Sequence, residues 1–528
     1  MKLIFNARIR TMNKSRPTAS ALVVDGARIL AVGEQEVLFS EFESAERQDM
    51  AGKTILPGLT DAHIHLQDYA LLKEKVDCET DSKKECIHRV VERAQSLRPD
   101  EWVLGHGWNQ NSWPGGAWPS ASELDVTSPN IPIYLTAKSL HAGWVNHAGL
   151  QRAGIRAGTP DPLNGQIQRD ANGQPTGILF EKAMDLVEAV IPKPDVDQIA
   201  AAIRSVQPRL WRMGLTSVHD FDKLPCFMAL QQLHTRCELH LRVIKSIPLE
   251  DLPLAFNHGW HSGWGDDTLH VGSAKVFSDG ALGTRTAAVI APYVDEPENC
   301  GILIMDGEAL FELGCRVAEN GFSLAAHAIG DRANHEMLDG FARLRAFERE
   351  RGMPHRRHRI EHVQLIQPED AERLAGLGVT ASMQPIHAPS DMHMVDRYWG
   401  DRAAQAYPWR TLLTSGARLA FGSDAPVEDP NPFLGLHAAV TRQQVDGSPG
   451  IDGWHGEQRL TLQEAVEGFT LGPAYAAGVE DRLGQLTIGY IADLIVLDED
   501  PFLCDPADLH LMRPVATMTG GEWIWQEG

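Results

Sequence analysis

The chain has little cysteine, and what it has is scattered. Cys78, Cys86, Cys226, Cys237, Cys300, Cys315 and Cys504 are odd in number and form no C-x-x-C pair. That argues against a disulfide framework or a redox motif and fits a reducing, cytoplasmic compartment. No apolar run approaches the roughly 18 residues of a membrane span. The opening MKLIFNARIRTMNKS lacks a long apolar core and a small-residue cleavage site, so no signal peptide is expected. Positive charge is short: 48 Lys and Arg face 71 Asp and Glu, for a net charge of −23. Phosphate backbones and anionic lipid need a basic face, so nucleic acid and membrane are disfavoured as partners. A small-molecule substrate is expected, and a homo-oligomer stays open. There is no internal repeat of fixed period and no low-complexity tract.

What is present reads as a globular chain of more than one ordinary core: 528 residues, 43% hydrophobic and 23% charged. Both ends are β-rich. KLIFNARIR and SALVVDGARILAVG carry an Asp25-Gly26 hairpin signal, while DLIVLDED and PVATMTGGEWIWQ carry Gly520-Gly521. Neither end has the apolar surface for its own core. Residues 1–53 and 479–528 are therefore expected to join in one small composite β-sandwich, with 54–478 inserted between them.

Within 54–478, strand candidates alternate with helical stretches such as EALFELGCRVAENG and PEDAERLAGLG. The strands fall at 54–66, 214–221, 238–247, 269–280, 322–331, 358–366, 378–385 and 418–426. Eight such units predict an α/β fold of the (β/α)₈ barrel type. The competitor, an open doubly wound sheet, would want a glycine-rich phosphate loop after its first strand, and none is there. Residues 67–205 are too long for a connecting loop. They are read as a folded insertion that shapes the substrate pocket, with Trp108, Trp113, Trp118 and Trp144 lining a cavity or forming the insertion's own core.

The most informative stretch is TILPGLTDAHIHL. Residues two apart on a strand share a face, so His63 and His65 present two imidazoles together, a pairing suited to a metal such as zinc. Alone, H-x-H is a weak signal among 22 histidines. Other metal-competent residues, however, fall at or near the ends of later strands: Lys275 in AKVFSDG, His327 in AAHAIGD, His362 in IEHVQLI and Asp424 in FGSDAP. Each has a bland alternative. His327 could cap the helix that follows, His362 could be a satisfied core histidine, Asp424 could serve an Asx-turn, and Lys275 could pair with Asp279. Six residues from five strands converge only if the strands close into a ring, so barrel and metal site support each other.

These segments, with HGWNQNSW, HAGWVNHAGL, KVFSDGALGTRTA, HAIGDRAN, FGSDAPVEDPNPF and the ending LGQLTIGYIADLIVLDEDP, resemble the amidohydrolase superfamily. The closer resemblance is to the branch that contains N-substituted formamide deformylase. It covers essentially the whole chain and implies the barrel, the composite β-sandwich and metal-dependent hydrolysis. It further implies that His63, His65 and Asp424 bind one divalent metal, and that His327 and His362 bind a second. Lys275, carboxylated on its amine, would bridge the two; unmodified, it would leave a single-metal site. One or two zinc ions are expected, with Asp424 as the proton shuttle. Among neighbouring residues, His219 and Asp220 are candidates to support the ligands, and Trp108, Asp279, Arg285 and Asp331 to hold substrate, although ion pairs among the charged ones are an equal reading. The expected reaction is hydrolysis of a C–N bond in an amide, formamide or cyclic amide. A deaminase acting on a heterocycle is the close alternative, and a metal-free scaffold protein the distant one.

Overall fold

The computed structural model describes residues 1–95, 97, 101–125, 130–138, 142–163 and 165–527. The chain forms two compact units, Met1–Tyr69 with Ile199–Gly528, and Ala70–Gln198.

The first unit holds an eight-stranded sheet in which every neighbouring pair is parallel. Its strands are β1 (Leu59–Ile64), β2 (Leu215–Asp220), β3 (Arg242–Pro248), β4 (Leu269–Phe277), β5 (Leu324–Ala328), β6 (Arg359–His362), β7 (Thr380–Met383) and β8 (Arg418–Phe421), hydrogen-bonded in chain order. Both faces of the sheet are covered, and β2 and β3 are buried at every residue although they carry polar side chains. The ring closes between β1 and the residues just after β8. The Asp424 amide donates to the His63 carbonyl at 2.7 Å, and the His65 amide donates to the Ala425 carbonyl at 2.8 Å. Helices return the chain between strands. Asp306 caps Gly307–Glu319 by accepting from the Ala309 amide at 2.9 Å, and Leu310, Leu313, Gly314 and Val317 form its buried stripe.

The stretch expected to be one strand at 54–66 is two. Thr54–Pro57 lies in a different sheet, and the chain crosses into β1 at Gly58. A side chain at Gly58 would meet Thr216 Oγ1 at 2.2 Å, so the crossing depends on glycine for want of space. The other sheet has six strands drawn from both ends of the chain, in the order Glu522–Gln526, Pro514–Thr519, Leu494–Leu497, Thr54–Pro57, Arg8–Arg10 and Thr18–Ala19. A four-stranded sheet built from residues 2–49 packs with it around Ile4, Leu22, Val24, Ile55, Leu494 and Met518. Asp25 pairs with Arg28 across a two-residue turn, and Thr519 pairs with Glu522 across Gly520-Gly521, both glycines at positive φ.

The second unit, Ala70–Gln198, sits slightly inside the expected 67–205. It carries a six-stranded mixed sheet in the order Gly165–Arg169, Pro175–Glu181, Ala142–Val145, Ile133–Ala137, Val103–Trp108 and Val76–Asp77. Its core holds Trp108, Trp113 and Trp144.

Candidate metal centre at the end of the barrel

The seam that closes the ring is also where the candidate ligands meet. His63 Nε2 and His65 Nε2 each stand 3.5 Å from Asp424 Oδ1. The ligand atoms of these three residues all lie within 4.8 Å of one another. Two donors on one tetrahedral ion, each about 2.0–2.1 Å from it, stand roughly 3.3 Å apart, so the spacing fits a shared cation. Asp61, three residues into β1, fixes the seam. Its carboxylate accepts from the His63 amide and the Ser423 amide, both at 3.0 Å, and from Ser423 Oγ at 2.5 Å. Gly422 has no room for a side chain, since a Cβ there would sit 2.6 Å from Asp61 Oδ1. Asp424 itself adopts φ 59°, a left-handed conformation that is uncommon outside glycine and that marks a held position.

His327 and His362 stand ring to ring at 4.6 Å, and His362 is 5.0 Å from His63. Strict alternation would send His362 to the side of β6 opposite Glu361. Positive φ at His362 (77°) and Val363 (45°) ends the strand there, and both Glu361 and His362 come to lie against His63. Lys275 Nζ lies 4.5 Å from the centre of the Phe221 ring, and that ring stacks on His63 at 4.1 Å. The lysine is buried and has no carboxylate at ion-pair distance among the described residues, so the Lys275–Asp279 pair does not form. Burial, opposed by Glu361 and Asp424, brings its pKa down to about 8.

The hydrogen bonds leave the same opening on all four histidines. His63 Nδ1 is 2.7 Å from Glu361 Oε2, and His65 Nδ1 is 3.2 Å from Asp222 Oδ1. His362 Nδ1 faces Gln384 Oε1 at 2.9 Å, and His327 Nε2 faces the Gly280 carbonyl at 3.0 Å. Each partner is an oxygen acceptor, so each of these nitrogens carries the proton and the other nitrogen keeps its lone pair. On His327 that other nitrogen, Nδ1, is buried without a hydrogen-bond partner. Burial, helped by the Lys275 charge, holds His63 well below its ordinary pKa and His327 at about 4; burial and the His327 and His63 rings do the same for His362. Neutral imidazoles with one nitrogen tethered to an oxygen are what a divalent cation requires. His65 goes the other way: burial disfavours its charge, but Asp222 and Asp424 outweigh burial and raise it.

Several supporting residues were not legible in the sequence. Glu361 is gripped by Arg359, whose Nε lies 2.5 Å from Oε1, and Arg359 in turn reaches His219 Nδ1 at 2.7 Å. Thus His219 connects to His63 through two intermediates. Asp222, not Asp220, contacts His65; Asp220 holds the fully buried Lys245 at 2.8 Å and accepts from the Leu66 amide at 2.9 Å. The Glu361 adjacent to His362 in I-E-H was a signal available in the sequence, as an acid beside a candidate ligand. Asp222 and Gln384 carried no such mark.

The four residues expected to hold substrate all have internal partners. Asp279 accepts from the amides of Ala288, Ile329 and Gly330 at 2.8–3.1 Å, and burial pushes its pKa up to about 7. Asp331 accepts from the Ile290 amide at 2.9 Å and from Gln367 Nε2 at 2.7 Å. Arg285 pairs with Glu296. Trp108 is fully buried in the second unit, where Nε1 donates to the Leu135 carbonyl at 2.8 Å and Trp113, Trp118 and Trp144 surround it. By contrast Phe277, the last residue of β4, is 48% exposed, with its ring 5.1 Å from His327.

The amidohydrolase family profile matches residues 46–524. The chain belongs to the amidohydrolase family. Across its full length it is 32% identical to the putative amidohydrolase YtcJ of Bacillus subtilis, also covered in full. It is 28% identical to the N-substituted formamide deformylase of Arthrobacter pascens, over 98% of this chain and 97% of that one. Among solved structures, an uncharacterized metal-dependent hydrolase from Pyrococcus furiosus superposes with a TM-score of 0.78 at 29% identity, over 95% of this chain and 99% of that one. This amidohydrolase is therefore an enzyme acting on carbon–nitrogen bonds other than peptide bonds.

Proposed function

We propose that the enzyme hydrolyses the C–N bond of an amide, formamide or cyclic amide at the seam between β1 and β8, with Asp424 moving the proton. The observation that carries this reading is the convergence of His63 Nε2 and His65 Nε2 on Asp424 Oδ1, each at 3.5 Å, with the His362 and His327 rings beside them and one nitrogen of each histidine tethered to an oxygen. His63, His65 and Asp424 would hold one divalent ion. His327 and His362 would hold a second, with Lys275 as a carboxylated bridge. When bound, such an ion, for which zinc suits histidine and carboxylate donors, supplies Lewis acidity at the carbonyl oxygen and lowers the pKa of a coordinated water from about 15.7 to about 7.

The protein's own groups do the rest. Asp424 Oδ1 faces the two Nε2 atoms, and Oδ2 has no hydrogen-bond partner among the described residues. Oδ2 takes the proton of the attacking water. As the carbonyl carbon gains its new C–O bond and the C–N bond breaks, the same oxygen returns that proton to the leaving nitrogen, giving a carboxylic acid and an amine. Burial, partly offset by His65 and Lys275, pushes the Asp424 pKa up to about 6, near the range in which a carboxylate both accepts and donates at neutral pH. Phe277 offers an apolar face to a substituent on the substrate, in keeping with the N-substituted substrate in the name of the Arthrobacter relative.

A panel of N-formyl, N-acyl and cyclic amides, assayed with zinc-reconstituted protein, tests the reaction class. Turnover of at least one, lost on chelation and restored by metal, is the expected result; ammonia release from heterocycles with no amide turnover would replace it with deamination. For the bridge, intact mass under CO₂-retaining conditions should exceed the sequence mass by one CO₂, and Lys275→Ala should remove the excess.

A further inference from the structure

At the opposite end of the same strands lies a second cavity, of about 450 Å³, within the range of roughly 300–1,000 Å³ usual for small-molecule sites. It opens where β4, β5 and β6 begin, among Ser262, Ser323 and the segment His355–Arg357, and it reaches the barrel interior at His219 and Arg359. None of the groups described above as ligands or as proton carrier lines it.

The walls of this cavity carry several hydrogen-bond donors and two carboxylates, Glu480 and Asp481, each of which already has an arginine partner. Arg359 donates to His219 Nδ1, because a guanidinium has no acceptor to offer; His219 therefore carries its proton on Nε2, and that N–H has no acceptor among the described residues. Ser246 and Ser273 are buried wall residues whose hydroxyls likewise make no hydrogen bond among the described residues. Arg356 donates to the Ala318 carbonyl at 2.6 Å, and its Nε is buried without a partner. The nearest carboxylate to Arg356, Glu348 at 4.0 Å, is already shared by Arg345 and His358, at 2.8 and 2.9 Å. Of the other charges, Arg357 pairs with Glu480, Arg359 with Glu361, and Asp481 with Arg482. Arg356 thus has only a distant carboxylate that it shares with Arg345, beside unpaired N–H and O–H donors, in a protein whose net charge is −23. Unpaired buried donors are costly, and a ligand that brings several acceptors and negative charge relieves them together.

We propose that this cavity is a binding site for a compact oxyanion, a carboxylate- or phosphate-bearing small molecule, held by Arg356, His219, Ser246 and Ser273 and separate from the catalytic end. Its wall includes Arg359, the residue that grips Glu361, so a ligand there touches the side chain that holds the partner of His63.

The test is calorimetric titration of the metal-loaded protein with sodium phosphate and, separately, with sodium succinate, at constant ionic strength set by chloride. Saturable one-to-one binding of either is expected, and the anion that binds identifies the source of the charge. Arg356→Gln and Ser273→Ala should each weaken that binding by roughly tenfold, the size of one lost charge-assisted or buried hydrogen bond. The Ser273→Ala change removes only the hydroxyl, so it covers the case in which Arg356→Gln fails to fold. Absence of saturable heat with both anions overturns the proposal. So does binding that survives unchanged in the variants, since that would place the anion elsewhere, the catalytic metal included.

Discussion

Two histidines flank one short strand, and their comparison explains how this barrel divides its labour. His358 immediately precedes β6 and His362 ends it. Both are buried, and burial keeps both neutral. They differ in what their partners leave over. His358 Nδ1 accepts from the Leu324 amide at 3.0 Å, and Nε2 lies 2.9 Å from Glu348, so both nitrogens are consumed in tying β6 to β5 and to the helix Asp331–Glu350. His362 spends only Nδ1, on Gln384. A histidine is available to a cation when one nitrogen is anchored and the other is left unspent. In this chain that condition holds at the C-terminal ends of the strands and fails at the start of β6.

The sharpest way to break the comparison is to remove the chemistry at one end and the packing at the other. Asp424→Asn keeps shape and hydrogen bonding while removing the proton acceptor. Its kcat should fall by about 10²–10⁴, the usual range for a positioned general base, with the melting temperature little changed. Near-normal turnover would remove Asp424 from the mechanism. His358→Ala should do the reverse. It strands the Leu324 amide and part of the Glu348 charge inside the protein, so about 2–4 kcal/mol of stability should be lost in urea unfolding, while kcat of the remaining folded protein stays near wild type. If His358→Ala also abolished metal binding, the two ends would not be separable.

The next test sits between the two ends. Glu361 holds His63 at the metal side and is itself held by Arg359 from below. Glu361→Gln should weaken metal affinity by about 10–100-fold, the usual cost of losing an oxygen partner behind a ligating histidine, as read by competition with a chromophoric chelator. Unchanged affinity would show that His63 is oriented by packing on Phe221 alone.

How far these roles were legible in the sequence follows from the same geometry. The eight strands were readable because they are short β-prone stretches alternating with helical patterns and turn residues, and His63 and His65 because their spacing matches the two-residue repeat of a strand. The break at Gly58 was not, because Thr54–Pro57 and β1 are both apolar and only their pairing partners differ. Asp222 and Gln384 were hidden for a related reason: whether an acid or amide orients a candidate ligand depends on which strand end it meets across the barrel. His362 illustrates the limit, since alternation alone puts it on the wrong side and a positive φ brings it in. Asp279 and Asp331 were read as substrate contacts because they follow strands with candidate ligands; their carboxylates accept from backbone amides of the neighbouring loops.

The finest distinction between the two histidines is their effect on stability as a function of pH. Burial, with the Arg345 and Arg356 charges, takes His358 down to about 4 against an ordinary value of 6.5, and its hydrogen bond to Glu348 only partly opposes this. A histidine lowered in the folded state favours the unfolded chain, which alone binds the proton between those values. Stability is therefore independent of this group above pH 6.5, declines as pH falls toward 4, and loses nothing further below it. From pH 7 to pH 5.5 the loss attributable to His358 should be about 1 kcal/mol. Other groups titrate in the same window, so the quantity to measure is the difference in urea unfolding free energy between wild type and His358→Gln at each pH. The glutamine can still donate to Glu348 and cannot be protonated, and the difference should shift by that amount in favour of the variant as pH falls. A difference that moves the other way, toward the wild type, would mean that His358 is protonated in the folded protein, with Glu348 as its counter-ion. The base of β6 would then be held by an ion pair and not by a neutral ring with both nitrogens satisfied.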